Sequence, residues 1–416
     1  MNLQALFFLF CLFYSVFIAQ AQDPFQANIR PTDPLKPEEQ QKTFSLPKGF
    51  SISLVASEPE IAKPLNLAFD HRGRLWATTS DAYPYKIEGN QFEKYSDSLK
   101  IFEDHDGDGT ADAIHTFADK LNIPIGFYPY KNGAVVWSIP NILWLEDTDG
   151  DNKADLRKVL YGPSGQVIDT HGMHNAFRRG FDGWLYINHG FNNTSQIKGL
   201  DGSEIHLHSG NTYRVNLDGK TVQQYTWGQV NPFGSDFDKF GFLYTADCHT
   251  LPIYQLMKGA YYPSFGKPHD GLGFAPKVMQ HIHGSTAISG LVLVDDPIWP
   301  QEYQENIFVG NVMTSRINRD VMRYEGSSPK AKEASDFVVS SDPWFRPVDL
   351  RWGPDGAMYV ADFYNKIIGH YEVPLDHPKR DRKRGRIWRI TYNGDNESQR
   401  WNYPRLNLSK DNIHSA

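Results

Sequence analysis

Arg346–Asn365, RPVDLRWGPDGAMYVADFYN, is the stretch whose reading decides the fold. It reads as a strand over Val348–Trp352, a tight turn on Pro354-Asp355-Gly356, and a second strand over Ala357–Ala361. Proline presets the bend, and glycine tolerates the positive φ that such a turn demands. The flanking residues alternate and suit a pleated, half-buried surface. The same grammar is an apolar pair, a short polar turn, a glycine, and then Leu-Tyr or its equivalent. It returns at Leu65–Thr78 (LNLAFDHRGRLWAT), Asn175–Asn188 (NAFRRGFDGWLYIN) and Ser235–Ala246 (SDFDKFGFLYTA), with degenerate copies at Ala134–Ile139 and Leu291–Gly310. A hairpin recurring every ~40–65 residues is the mark of propeller blades. The expected fold is all-β, a six-bladed β-propeller.

The blades fall at Leu65–Phe117, Leu121–Tyr161, Gln166–Trp227, Gln229–Met279, His281–Ser340 and Trp344–Tyr392. Phe50–Ser57 (FSISLVAS) alternates well but precedes the first hairpin. It is assigned as the outer strand of the last blade, beside Arg386–Tyr392 (RIWRITY), so that the N-terminal strand closes the ring and removes an exposed edge. A chain of 416 residues, 14% aromatic, with 34 Gly and 26 Pro, suits one large all-β domain of this kind. Its net charge of −7 argues against a nucleic-acid partner, because phosphate binding needs a basic stripe. Met1–Ala21 is an apolar run ending in Ala19-Gln20-Ala21, which reads as a secretory signal peptide. That implies a secreted or periplasmic protein with no transmembrane span after cleavage. Residues 22–43 then read as a polar linker, 44–392 as the propeller, and 393–416 as a polar C-terminal tail. Cys248 is the only cysteine outside the signal peptide, so no intrachain disulfide is expected.

Two acidic loops form the sharpest motif, EDHDGDGTAD at Glu103–Asp112 and EDTDGDNKAD at Glu146–Asp155. They supply carboxylates at matching positions: Asp104, Asp106, Asp108 and Asp112 in one, Asp147, Asp149, Asp151 and Asp155 in the other. Hard oxygen ligands at alternate positions of a turning loop are what calcium requires. The bland reading is a solvated acidic turn, since Asp-Gly and Asp-Asn favour turns without a metal. Both loops join the third strand of a blade to the fourth, on the same face as the Pro-Asp-Gly turns. Any calcium there is structural.

The opposite face collects the residues just before each first strand and just after each second strand. Blade three places His171, His174, Asn175, Asn188, His189 and Asn192 there; blade four places Gln229, Asn231, Asp247 and His249. Blade five adds His281, His283, Asn311 and Arg316, blade six Arg346, Asp362, Tyr364 and Asn365, and blade one Asn66 and Asp81. Loop residues gathered about a propeller axis make a concave polar pocket. Each has a plainer alternative. A lone loop histidine is more often a satisfied hydrogen-bonder than a catalyst, and Asp362 can simply cap its loop through backbone N–H groups. Cys248 reads as a small buried residue. His206 and His208 fall at third-strand positions and read as surface or packing residues, and the basic run Lys379–Arg389 reads as a solvated loop from which one or two arginines could reach the pocket rim. There is no Gly-x-Ser-x-Gly elbow, no His-Glu-x-x-His zinc motif and no Gly-rich phosphate loop before a helix.

The run FRPVDLRWGPDGAMYVADFYNKIIGHYEVPLDHPKRDRKRGRIWRITY, the acidic repeats and HGMHNAFRRGFDGWLYINHG resemble the N-terminal propeller of the PVC-type haem-binding proteins, also called membrane-bound dehydrogenases, over about Leu46–Tyr392. More distantly, that propeller is similar to the soluble glucose and sorbosone dehydrogenases, which use pyrroloquinoline quinone (PQQ). By this resemblance His171 or His174 is the base that removes a substrate hydroxyl proton; Asp362 is a further catalytic candidate. Arg316 and Arg346 take the quinone's carboxylates, with Asn231, His249, His283 and Tyr364 completing the cofactor site. Related chains continue into helical repeats and a cytochrome c module with a Cys-x-x-Cys-His motif. This chain lacks that motif, so no covalent haem is expected and a separate cytochrome c-type electron acceptor is implied. The expected ligand is a sugar, polyol or glycan. A carbohydrate-binding or scaffold propeller without chemistry, and a metal-dependent glycan hydrolase or lyase, are the alternative readings.

Overall fold

The computed structural model describes residues 23–394, apart from 90–93, 95, 166–168, 171, 249, 265–276, 286, 368–371 and 375. The segment read in sequence as a signal peptide and most of that read as a C-terminal tail lie outside them. Six sheets form six blades. In the regular blades, one, two and six, the sheet is a four-stranded antiparallel meander whose strands are lettered A to D from the axis outward. In blade one these are Pro64–Phe69, Leu75–Thr79, Ser98–Glu103 and Ala113–Ala118; in blade two, Phe127–Tyr130, Gly133–Ser138, Asn141–Glu146 and Leu156–Tyr161. Blade six runs Pro347–Trp352, Met358–Asp362, Arg386–Tyr392 and then Phe50–Ser57, so the N-terminal strand does close the ring, pairing Phe50 with Tyr392 and Ser57 with Arg386.

Blades three to five are less regular. Blade three has strands Asn175–Arg179, Leu185–His189, Asn211–Val215 and Val222–Gly228, with a separate hairpin, Thr194–Lys198 and Glu204–His208, inserted between B and C. His206 and His208 therefore sit on that hairpin, not on the third strand of the blade. The insertion alternates as cleanly as a blade strand does, which is why sequence periodicity mistakes one for the other. Blade four has three strands, Pro232–Phe237, Leu243–Asp247 and Ile253–Leu256, and Tyr261–Tyr262 beyond it pairs in parallel with blade three. In blade five, Ile288–Val294, Asn306–Asn311 and the long Arg316–Glu325 precede a split outer edge, where Ser328–Glu333 and Val338–Ser340 each pair with part of the third strand. Phe44–Ser45 adds to Val338–Ser340.

The blades pack face to face through apolar clusters. Trp76, Ile101 and Phe117 of blade one meet Phe127, Ala134 and Val136 of blade two, and Trp299, Phe308, Phe337, Leu350 and Trp388 join blades five and six. Burying each such side chain contributes about 1.5–3 kcal/mol. In five blades the A–B ladder breaks register near the start of A: Pro64/Asn66, Asn175/Arg178, Pro232/Ser235, Ser289/Leu291 and Pro347/Asp349. A bulge leaves one residue out of the ladder and re-aims it. Gly234 (φ +91) and Gly290 (φ +43) touch at two of these bulges, where a Cβ on Gly234 would lie 2.7 Å from the Leu291 nitrogen. That close approach requires glycine.

Residues 23–43, read in sequence as a linker, are docked on the ring. Ile29 bridges Ile367, and the short helix Pro37–Gln41 buries Gln40 completely. Among the described residues, no helix is long and apolar enough to cross a membrane.

Candidate functional site

A cavity of about 260 Å³ lies where the axial ends of the blades converge, on the face opposite the acidic loops. Its wall is built at one topological level. Asn231, Ala287 and Arg346 come just before the A strands of blades four, five and six, and Cys248, Val312 and Phe363 just after the B strands of the same blades. Three bulged residues, Leu65, Phe233 and Val348, turn inward as well. The cavity is thus where the sequence places it, but the wall is more apolar than the polar residues at that level imply.

The reason is that many of those polar side chains serve the loops. Asp362 is fully buried and accepts hydrogen bonds from the Arg346 N–H (2.8 Å), the Tyr364 N–H (3.0 Å), Gln40 Nε2 (2.8 Å) and Trp388 Nε1 (3.2 Å). Asp247 does the same in blade four, accepting the N–H groups of Val230 (2.9 Å) and Asn231 (3.0 Å). Both aspartates end a B strand opposite the proline that opens strand A, and that proline brings no N–H to the ladder. Asp362 is therefore the loop cap of its plainer reading, off the cavity wall, and burial pushes its carboxyl up. Tyr364 is likewise internal: its hydroxyl donates to Asp342 Oδ2 (2.8 Å) and accepts the Leu35 N–H (2.7 Å), while the Arg386 guanidinium stacks 3.8 Å from its ring centre.

His174 precedes strand A of blade three, as Arg346 does in blade six, yet its ring is enclosed. Nδ1 lies 2.7 Å from the Tyr213 hydroxyl and Nε2 3.4 Å from Ser195 Oγ, with Trp137 packed edge-on at 4.4 Å between ring centres. Burial, with His189 beside it, holds the imidazole well below its ordinary pKa. It is a neutral core residue with no face on the cavity. His171 and His249 lie outside the described residues. Arg316 is not on the cavity wall; its exposed guanidinium pairs with Asp336 at 2.5 Å. His283 sits off the axis in the seam between blades four and five, where its Nε2 meets Asp320 Oδ2 at 2.8 Å.

Arg346 and Asn231 are the two expected cofactor residues that the cavity brings together. Asn231 Oδ1 accepts the Phe191 N–H at 3.1 Å. Arg346 is 1% exposed, and its Nη1 donates to Val312 O (2.9 Å), Phe345 O (3.0 Å) and Ser315 Oγ (3.1 Å). Among the described residues, its Nε and Nη2 have no hydrogen-bond partner. These two donors form the side edge of the guanidinium, the fork that matches a carboxylate. Burial and the nearby Arg30 depress the guanidinium's pKa, against Asp362 and Asp342, which raise it. An anion on that edge would relieve both penalties. The donor set therefore fits a carboxylate-bearing cofactor.

The basic run does reach the rim: Arg380, Asp381 and Arg382 line the cavity. Arg382 Nη1 donates to the carbonyls of Asp81, Ala82 and Tyr83. Asp381 pairs with the buried Lys63 at 3.1 Å. Burial pushes the Asp381 carboxyl up, but Lys63 and Arg384 hold it down at about 2, while burial brings Lys63 down to about 8. Lys63, which sequence reasoning passed over, also donates to Phe363 O (3.0 Å) and Tyr364 O (2.6 Å) and so fixes the loop beside Arg346. Its one sequence signal is a cation immediately before a strand-opening proline.

On the far face the acidic loops are built alike. Asp104 accepts the N–H groups of Gly107 (2.6 Å) and Gly109 (2.9 Å), as Asp147 accepts those of Gly150 (2.6 Å) and Asn152 (3.0 Å). Carboxylate oxygens of Asp104, Asp106 and Asp108 converge, as do those of Asp147, Asp149 and Asp155. Asp112 and Asp151 instead bind backbone, accepting the N–H groups of His105 (2.7 Å) and Lys153 (2.8 Å).

Among solved structures, the chain is similar to an oxidoreductase described as a glucose dehydrogenase from Thermus thermophilus, at 14% identity and a TM-score of 0.53, covering 82% of this chain and 100% of that one. It is also similar to the PQQ-bound aldose sugar dehydrogenase of Streptomyces coelicolor, at 15% identity and a TM-score of 0.50, covering 83% and 99%. At such identities the likeness establishes the propeller fold. No curated protein matches in sequence. A family model matches residues 36–394, nearly the whole of the described propeller, and the chain belongs to that family, the domain of unknown function DUF7133.

Proposed function

We propose that this propeller is a secreted or periplasmic sugar or polyol dehydrogenase that holds PQQ in the axial cavity, with a quinone carboxylate on the side edge of Arg346. The observation that carries the reading is that Arg346, a residue of the cavity wall, keeps two buried guanidinium donors, Nε and Nη2, with no hydrogen-bond partner among the described residues. A bound quinone supplies the acceptor for the hydride that leaves the substrate's carbinol carbon. The chain's own residues do the rest. Leu65, Phe233 and Phe363 exclude water from the wall, Asn231 offers its remaining amide hydrogens, and Arg346 orients the anion. The proton of the substrate hydroxyl falls to His171, the sequence neighbour of the wall residue Thr170, because His174 is sealed off. A neutral imidazole is suited to that role near pH 7. A separate cytochrome c-type protein would be the electron acceptor.

The test is uptake of PQQ by the purified chain in the presence of calcium, followed by spectroscopy and turnover with sugars, polyols and an artificial acceptor. Arg346→Ala is expected to weaken uptake by roughly 1.5–3 kcal/mol, the scale of a hydrogen bond to a charged group. His171→Ala is expected to lower turnover about 10²–10⁴-fold with uptake intact. Absence of stoichiometric uptake, together with glycan binding that survives in both variants, would leave a binding propeller.

A further inference from the structure

Away from the axis, the seam between blades four and five holds a cluster that the proposed chemistry does not use. Asp320, on the third strand of blade five, stands opposite Ile307 and faces blade four. Its carboxylate is completely buried, and among the described residues its side-chain partners are two imidazoles. His281 Nε2 lies 2.8 Å from Oδ1, and His283 Nε2 lies 2.8 Å from Oδ2. The ligating atoms of all three residues fall within 4.8 Å of one another.

We propose that His281, His283 and Asp320 form a binding site for one divalent transition-metal ion, zinc by its ligand chemistry, which pins the segment entering blade five to the third strand of that blade. Four features support it. His281 and His283, two residues apart, bring their Nε2 atoms to the two oxygens of one carboxylate. Two histidines and a carboxylate are a zinc donor set, whereas calcium and magnesium prefer oxygen alone. A tetrahedral zinc with ligands at 2.0–2.1 Å keeps them about 3.3 Å apart, so the 2.8 Å contacts need open only slightly to admit the ion. Finally, an outer partner stands close by. Glu333 Oε1 lies 3.5 Å from Nδ1 of His283, which has no hydrogen-bond partner among the described residues, so this carboxylate is placed to close in and orient a metal-bound imidazole. The His283 carbonyl is held by Asn311 Nδ2 at 3.0 Å. His281 is part exposed, its side chain at 24%, which gives the ion an entry path and leaves a fourth position for water. A buried carboxylate also needs a compensating charge, which the metal provides.

The experiment is to strip the full chain with a chelator and titrate Zn²⁺ back against a chromophoric chelator, with Co²⁺ in parallel to report four-coordinate geometry in the visible spectrum. One ion per chain is expected, with a raised melting temperature. In His283→Gln and His281→Gln the affinity should fall by more than the about 10–100-fold that loss of an outer partner costs, and Glu333→Gln should stay within that range. The site should survive Asp104→Ala and Asp147→Ala, which separates it from the acidic loops. Asp320 is too deeply buried for its variants to be safe, so the part-exposed His281 decides the matter. If the stripped wild-type chain takes up no stoichiometric zinc, or if folded His281→Gln titrates as wild type does, the cluster is a hydrogen-bonded joint and the proposal fails.

Discussion

Asp97, a residue that no motif or periodicity singles out, has a sharp pH signature. Completely buried just before the third strand of blade one, it accepts hydrogen bonds from Ser80 Oγ (2.8 Å), the Ala82 N–H (3.0 Å) and the Ile123 N–H (2.9 Å). It thereby ties the loop of blade one to blade two. Burial pushes its carboxyl up to about 6 from the ordinary 3.8, in spite of those donors. The unfolded chain releases this proton near pH 4 and the folded chain only near pH 6, so the folded state binds more protons between those values. Stability from this residue is therefore greatest below pH 4 and falls as pH rises to 6, by about 3 kcal/mol at 1.36 kcal/mol per unit. Asp97→Asn should remove that part of the slope while lowering stability overall, because its amide hydrogens would face donors. Urea midpoints of wild type and variant at pH 4, 5 and 6 provide the check, and parallel slopes would refute the assignment. At this scale, sequence position identifies the residues near the axis but not the direction of their side chains. His174 and Arg346 occupy equivalent positions before an A strand, yet one is packed under Trp137 and the other reaches the cavity. Nor does sequence spacing reveal that His281 and His283 share Asp320, which lies on a strand folded back across the blade.

At the scale of elements, the hairpins and the acidic loops are legible in sequence because each carries its own turn chemistry, and the closing strand because its alternation has no local partner. The inserted hairpin of blade three and the docked segment 23–43 are not, since what decides them is long-range. Gln40 Nε2 finds Asp362 Oδ2 at 2.8 Å, and Trp344 Nε1 finds Thr32 O at 3.1 Å. The acidic loops yield the next prediction. Their backbone donors fix the turn, yet three carboxylates are left facing one another in each loop, a repulsion that a cation would relieve. Calcium titrated into the chelator-stripped chain should raise the melting temperature, with about 2.7 kcal/mol per site at a hundred times the dissociation constant. In Asp147→Ala, one site's worth of that gain should be lost, with ligand affinity at the axial cavity unchanged. A melting curve indifferent to calcium would mean that the turns stand on their own hydrogen bonds.

For the whole molecule, the decisive contact is the one between the two ends of the propeller. Phe50–Ser57 pairs with Arg386–Tyr392 along its length, and Ile52 and Val55 are buried in clusters shared with blades five, six and one. No disulfide holds this joint, because neither strand contains a cysteine. The segment before it strengthens the closure: Gln40 bridges Asp362 and Arg386, and Arg386 Nη2 meets Glu58 Oε1 at 2.8 Å. A ring closed by one strand should behave as a single cooperative unit, since losing that strand exposes the third-strand edge of blade six together with the apolar side chains beneath it. A chain beginning at residue 58 should therefore lose the sharp melting transition and associate through the bared edge. A peptide spanning residues 34–57, supplied in trans, should restore the transition, because it carries both the missing strand and the Gln40 bridge. The comparison is made by calorimetry and size-exclusion chromatography on the same preparations. If the truncated chain melts as sharply and at the same temperature as the full one, closure by this strand does not govern the stability of the propeller.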